Sequence, residues 1–279
     1  MARVITIKTA TTRLSMAAGV ALMATLFATP AAAADRLNDN AVKQLLERID
    51  NERDRFEDQL DGELKRSIIR GPGGEVNVER YLDDLQENVD RMKERFTSGY
   101  AASAEVTTVL RQGSEIQRFM AKQKPGFDGA SEWNRLSGSL GQLAVIYGTS
   151  FPIAEGQQAR RMNDDEVKKA AEDVAESADR FKDELDASLK NDKTIARATR
   201  EAAVREADEL KKDAERLAST VGDGRPASGE AQVVLQRAKA LRTASAGRAL
   251  SPAAQSAWSS VEGGLEKVGQ AFNVSTQLP

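Results

Sequence analysis

The residues best suited to chemistry are the carboxylates of a short stretch that occurs twice. Asp54 to Lys65 reads DRFEDQLDGELK, and Asp179 to Lys190 reads DRFKDELDASLK. In the first copy Asp54, Asp58 and Asp61 are spaced three and four apart, which puts them on neighbouring turns of a helix. Calcium and magnesium take oxygen ligands of this kind. The Asp-rich loop of an EF-hand is absent, however. A ferritin-like di-iron site needs Glu-x-x-His, and this chain contains no histidine. Phe56, Leu60 and Leu64 fall at core spacing in the same stretch. The expectation is therefore a half-buried helix with a solvated acidic face, in which Arg55 pairs with Asp58, and no metal site.

Other chemistries are excluded by composition. Cysteine and histidine are both missing. That removes thiol nucleophiles, disulfides, zinc–sulfur sites, imidazole bases and the usual axial ligands of haem. GPGG at Gly71 to Gly74 lacks the Gly-Lys-Ser/Thr of a phosphate loop and reads as a turn. Trp133 and Trp258 sit at helical core positions and read as packing residues. No Ser-x-x-Lys opens a convincing helix. No catalytic constellation remains, so the chain reads as a non-enzyme without a cofactor.

The elements that carry these residues repeat as well. A gapless shift of 125 residues sets Arg36-Leu37-Asn38-Asp39 on Arg161-Met162-Asn163-Asp164. It also sets Leu85 on Leu210, Ser103 and Glu105 on Ser228 and Glu230, and Trp133 on Trp258. A register held over several segments marks a tandem duplication. Within each copy, apolar residues recur every three or four positions. In the first copy the expected helices run from Asn38 to about Arg70, through Val78 to Phe96, from Ser103 to about Lys122, and through Trp133 to Tyr147. Asn38 and Asn163 are good N-caps, with Leu37 and Met162 placed as hydrophobic staples and Glu166 at a capping-box position. The expected fold is all-α: a tandem duplication of two antiparallel up-and-down four-helix bundles.

A signal peptide precedes it. Arg3, Lys8 and Arg13 are followed by the uncharged run Leu14 to Thr29 and by Ala-x-Ala sites ending at Ala33 or Ala34. The division expected is a signal peptide at 1–34, one bundle at 35–148, a linker at 149–160, and a second bundle with a short tail at 161–279. No transmembrane span remains after cleavage, and the destination is the periplasm or the exterior of a bacterium. The processed chain would carry 37 basic and 43 acidic side chains, which argues against nucleic acid as a partner.

The two copies differ in what they bury. Leu45-Leu46 becomes Ala170-Ala171, so the second core should be narrower and weaker. Charge is uneven too: the first helix of each copy is acidic and the third basic. Arg237, Lys239, Arg242 and Arg248 form the strongest basic group of the second copy, a candidate surface for a protein or an anionic envelope partner. The function expected is an interaction or structural module of the bacterial envelope. The alternative is a small-ligand or metal-binding bundle acting as a periplasmic sensor or carrier.

Overall fold

The computed structural model describes residues 36–71, 74–191, 193, 195–246, 248 and 250–274. The expected signal peptide lies outside the described residues. The described chain is mostly helical. In its first half α1 spans Asp39–Gln59, α2 Gly62–Arg66, α3 Val78–Arg95, α4 Ser103–Met120 and α5 Ala130–Ile146. Between α2 and α3 lie two short strands, β1 Ile68–Gly71 and β2 Gly74–Asn77. In the second half α6 spans Asp164–Asn191, α7 Arg197–Gly222, α8 Ser228–Ser245 and α9 Pro252–Ala271.

Side-chain caps explain where several of the helices begin. Asn38 accepts a hydrogen bond from Ala41 N at 2.8 Å. Asn163 and Glu166 close a reciprocal capping box, each side chain accepting from the other's backbone amide at 2.7 and 2.8 Å. Asn77 and Ser251 cap α3 and α9 with single bonds, accepting from Arg80 N and Ala254 N, and Pro252 takes the first helical position, where its missing N–H costs nothing. The ends of α5 and α9 also match. Gly148 and Asn273 turn left-handed, and the next residues, Thr149 and Val274, donate back to Ala144 O and Gly269 O at 2.9 Å.

One expected helix is broken. The stretch from Asn38 to Arg70 stops at Leu60, restarts for one turn, and leaves as a strand. Asp61 caps the new turn by accepting from Glu63 N and Leu64 N, and Gly62 follows it. The second half has Asp186-Ala187 at the position 125 residues on, and α6 runs on without interruption. Glycine in a helix interior costs about 1 kcal/mol relative to alanine, so the Asp-Gly pair tips the balance towards a cap. The β-branched Ile68, Ile69 and Val76 then flank a tight connection, with Gly71 opposite Gly74 in an antiparallel pair. This small hairpin takes the place of the end of the helix expected to run to about Arg70, in a described chain that is otherwise mostly helical.

Each half buries its own apolar cluster. In the first, α1 packs on α3 and α5, and α4 on α3 and α5. In the second, α6 packs on α7 and α9, and α8 on α7 and α9. The first cluster is built from large side chains such as Phe56, Leu82, Met92 and Tyr147. The second is built largely from alanines, among them Ala170, Ala171, Ala178, Ala207 and Ala231, around Phe181 and Phe272. One aromatic pair is common to both: Phe56 meets Trp133 at 5.3 Å and Phe181 meets Trp258 at 5.0 Å, both tilted. The twice-written DRFxDxLD stretch thus places a phenylalanine against a tryptophan.

The segment expected as a linker is packed rather than tethered. Ile153 N donates to Ser114 Oγ at 3.0 Å, and Ala159 N donates to Thr107 Oγ1 at 2.9 Å. Thr107 and Ser114 lie seven residues apart, so they share one face of α4. Gly113 between them leaves room for Phe151, whose ring would lie 3.1 Å from any Cβ there.

Candidate functional site

The acidic stretch is used for structure. Asp61 is a cap, and the cation that engages this part of α1 is Arg53, which bonds Glu57 and lies 2.5 Å from Asp54. Among the described residues Arg55 makes no ion pair with Asp58, and no group of three or more possible metal ligands converges. Nor is any described helix long and apolar enough to cross a membrane.

The four basic residues of α8 and its exit do not act as one patch. Arg237 bonds Asp213 and lies 3.0 Å from Glu206, both on α7. Those bonds raise its guanidinium pKa, the bond to Asp213 most of all. Arg242 Nη1 lies 2.9 Å from Glu262 Oε1, which also accepts from Trp258 Nε1 at 2.8 Å. In the first half the matching position is Gln117, which accepts from Trp133 Nε1 directly at 2.9 Å. An arginine cannot accept, so Glu262 stands between the indole and Arg242. Lys239 is exposed, and Arg248 is half-buried.

A polar cluster that sequence reasoning missed joins the two halves. Arg36 Nη1 donates to Asp164 Oδ1 at 2.5 Å, and Arg161 Nη1 lies 2.6 Å from Asp39 Oδ1. Arg36 Nη2 donates to Met162 O and Arg161 Nη2 to Leu37 O, at 2.8 and 2.9 Å. The Asp39 amide donates to Asp164 Oδ2 and the Asp164 amide to Asp39 Oδ2. Every contact is matched by its counterpart 125 residues on. Both arginines are deeply buried, with 8% and 3% of the side chain exposed. Burial, and then the neighbouring Arg161, lower the Arg36 guanidinium below its ordinary value, while Asp164 and Asp39 oppose that. The only signal in the sequence was the matched Arg-x-x-Asp at the two helix starts, which also fits simple capping.

The first half carries a groove along α4 with two walls. On one side the hairpin covers a cleft of about 350 Å³ lined by Gly74, Val76, Tyr81, Asp84, Thr108, Arg111 and Gln112. On the other the strap at 152–156 borders a wider cleft of about 820 Å³, also lined by Arg111, with Ser114, Glu115 and Arg118. Arg111 is exposed where the two meet. Its Nη2 donates weakly to Gln157 O at 3.3 Å, and among the described residues no carboxylate lies within ion-pair distance of it. Of the other charges, Glu115 lies 2.5 Å from Arg118 and Asp84 3.4 Å from Arg80, while Glu155 on the strap lines the wider cleft with no ion pair among the described residues. Gln112 Oε1 accepts from Asn88 Nδ2 at 3.0 Å, leaving its amide N–H groups for other partners. The corresponding positions of the second half, 88 and 112 shifted by 125, are Asp213 and Arg237, so its seam is an ion pair.

In comparisons with family models, curated proteins and solved structures, nothing matches this chain.

Proposed function

We propose that this chain is an exported, non-enzymatic protein, a tandem duplicate of antiparallel up-and-down four-helix bundles that serves as an interaction or structural module of a bacterial envelope. The observation that carries this reading is where the buried charge is used. Arg36, Asp39, Arg161 and Asp164 hold one half to the other instead of converging on a space that a substrate could enter. Each half buries its own cluster of apolar side chains, as a scaffold requires. A protein partner is favoured over an anionic surface, because Arg237 and Arg242 are already paired with carboxylates.

The test is made in the native host. The protein from the envelope fraction is weighed by mass spectrometry, and a photo-crosslinker at Lys239 or at the exposed Val233 captures neighbours. An N-terminus at Ala34 or Asp35 and a discrete crosslinked protein are expected. A full-length chain confined to the cytoplasm, or no crosslinked product from either position, would overturn the reading.

A further inference from the structure

The groove along α4 distinguishes the two halves more sharply than any other surface. Both of its walls belong to the first half: the hairpin, which has no counterpart among the described residues of the second half, and the strap at 152–156. Where the second half fills the matching seam with Arg237, Asp213 and Glu206, the first keeps the neutral Gln112 and Asn88 and an open cleft.

We propose that this groove binds a small amphipathic carboxylate, with the carboxylate on Arg111 and the apolar body under the hairpin. Three observations support the assignment. The cleft of about 350 Å³ falls in the range of small-molecule sites. Its lining places Val76 and the Tyr81 ring beside Thr108 and Gln112, an apolar surface with neutral hydrogen-bonding groups at its edge. Tyr81 fits there because Gly71 has no side chain: a Cβ would lie 2.8 Å from the Tyr81 ring. At the mouth stands Arg111, with a backbone carbonyl as its one partner among the described residues. A planar guanidinium matches a carboxylate through two parallel N–H bonds, which a neutral ligand cannot reproduce. Arg80, 3.4 Å from Asp84, offsets part of that carboxylate's repulsion, and Glu155 belongs to the wider cleft beyond Arg111 rather than to the cleft under the hairpin. The site is independent of the scaffold reading, because none of its residues takes part in the contact between the halves.

The same chemistry is offered by a free acid and by the C-terminus of a peptide. Calorimetric titration of the full processed chain therefore uses 3-phenylpropionate and N-acetylphenylalanine as probes. 3-Phenylpropanol and N-acetylphenylalanine amide are the uncharged controls. At least one acid should bind saturably, and its uncharged partner more weakly. Whichever acid binds more tightly identifies the source. Arg111→Gln should weaken acid binding about 10- to 100-fold, the loss expected for a charge-assisted pair, and leave the uncharged control unchanged. Arg118→Gln should leave both unchanged, because Arg118 is already paired with Glu115. Val76→Ala, which trims a half-buried side chain that lines the cleft and packs against the core cluster, should weaken the acid and its uncharged control alike. No saturable binding of either acid, equal affinity for acid and uncharged control, or acid binding unaffected by Arg111→Gln would each overturn the proposal.

Discussion

Asp39 and Asp164 each accept a hydrogen bond from the other's backbone amide, at 3.1 and 2.8 Å, so the first turn of α1 and the first turn of α6 cap one another. Each aspartate also meets the arginine that lies three residues before its partner. Negative charge at a helix N-terminus is favourable, and here each helix supplies it to the other. Removing one partner strands a buried cation. Asp39→Ala is expected to cost about 3 kcal/mol in urea unfolding, and Asp164→Ala a similar amount. The double variant should lose clearly less than the two single losses combined, since the four groups act as one network. Strict additivity, or a single loss below about 1 kcal/mol, would show that the clasp is not coupled.

Two adjacent glycines of α9 should respond in opposite directions. A Cβ on Gly264 would lie 2.6 Å from Val174 Cγ2 on α6, and a β-branched side chain cannot swing away freely. Gly264→Ala is expected to destabilise by roughly 1–3 kcal/mol through overpacking. Gly263 faces open space, so Gly263→Ala should stabilise by up to about 1 kcal/mol through helix propensity. Thermal unfolding of the two variants decides it, and shifts in the same direction would contradict the packing described.

All three tyrosines are held neutral beyond their ordinary range. Burial pushes the Tyr81 phenol up to about 12 and raises Tyr147, while the hydrogen bond to Glu105 raises Tyr100. A phenol whose folded pKa is raised contributes stability that is fully present below pH 10. That contribution is lost as pH rises through the folded value, so the protein should weaken above pH 10. Ultraviolet titration of the folded chain should show no tyrosine ionising at its ordinary pKa. Among the described residues the Tyr81 hydroxyl has no hydrogen-bond partner, so Tyr81→Phe should be neutral or stabilising by up to about 1 kcal/mol at neutral pH. A larger loss would reveal a partner for that hydroxyl.

The acid limit can be read at Asp50, which ties α1 to α3. Burial alone would raise its carboxyl pKa. Hydrogen bonds from Lys93 at 2.7 Å and Gln86 at 2.6 Å outweigh that and hold it below 3.8. The same bond, above all, raises Lys93 above 10.5. Asp50 therefore contributes stability above pH 3.8 that disappears as pH falls through its lower folded value. The Lys93 contribution is present below pH 10.5 and disappears as pH rises through its higher one. Asp50→Asn should cost roughly 1 kcal/mol at neutral pH and flatten the acid side of the stability curve. An unchanged acid slope would remove Asp50 from the account.

The alanine-rich half should open first. Alanine buries little apolar area, at about 25 cal/mol per Å², so the cluster of the second half offers less against the cost of ordering its chain. Limited proteolysis is expected to cut within 161–273 before it cuts the first half, leaving a fragment near residues 35–155. Survival of the second half as the longer-lived fragment would mean that close helix approach compensates for the smaller side chains.

Much of the helical framework was legible in the sequence, because period and caps are local. Asn38 and Asn163 mark helix starts with side chains that bond amides three residues away. The break after Leu60 was less legible. Asp61-Gly62 and Asp186-Ala187 differ by one methyl group, and the difference of about 1 kcal/mol shows only when the two copies are compared as structures. The pairing of the basic residues of α8 was hidden for a related reason. Arg237 looks the same in sequence whether it faces water or Asp213.

By itself the sequence determined the helical content, the shift of 125 residues and the want of cysteine and histidine chemistry. Each of these depends on residue type and on spacing along one chain. Only the tertiary structure decided which charges are used. Arg36 meets Asp164 across 128 residues, and Arg161 meets Asp39 across 122, because of how the two halves dock. Among the described residues Arg111 has no carboxylate within ion-pair distance, and it stands where the clefts beside the hairpin and the strap meet. An ion pair is a property of distance in space, and distance in space between remote segments is set by packing rather than by any local pattern.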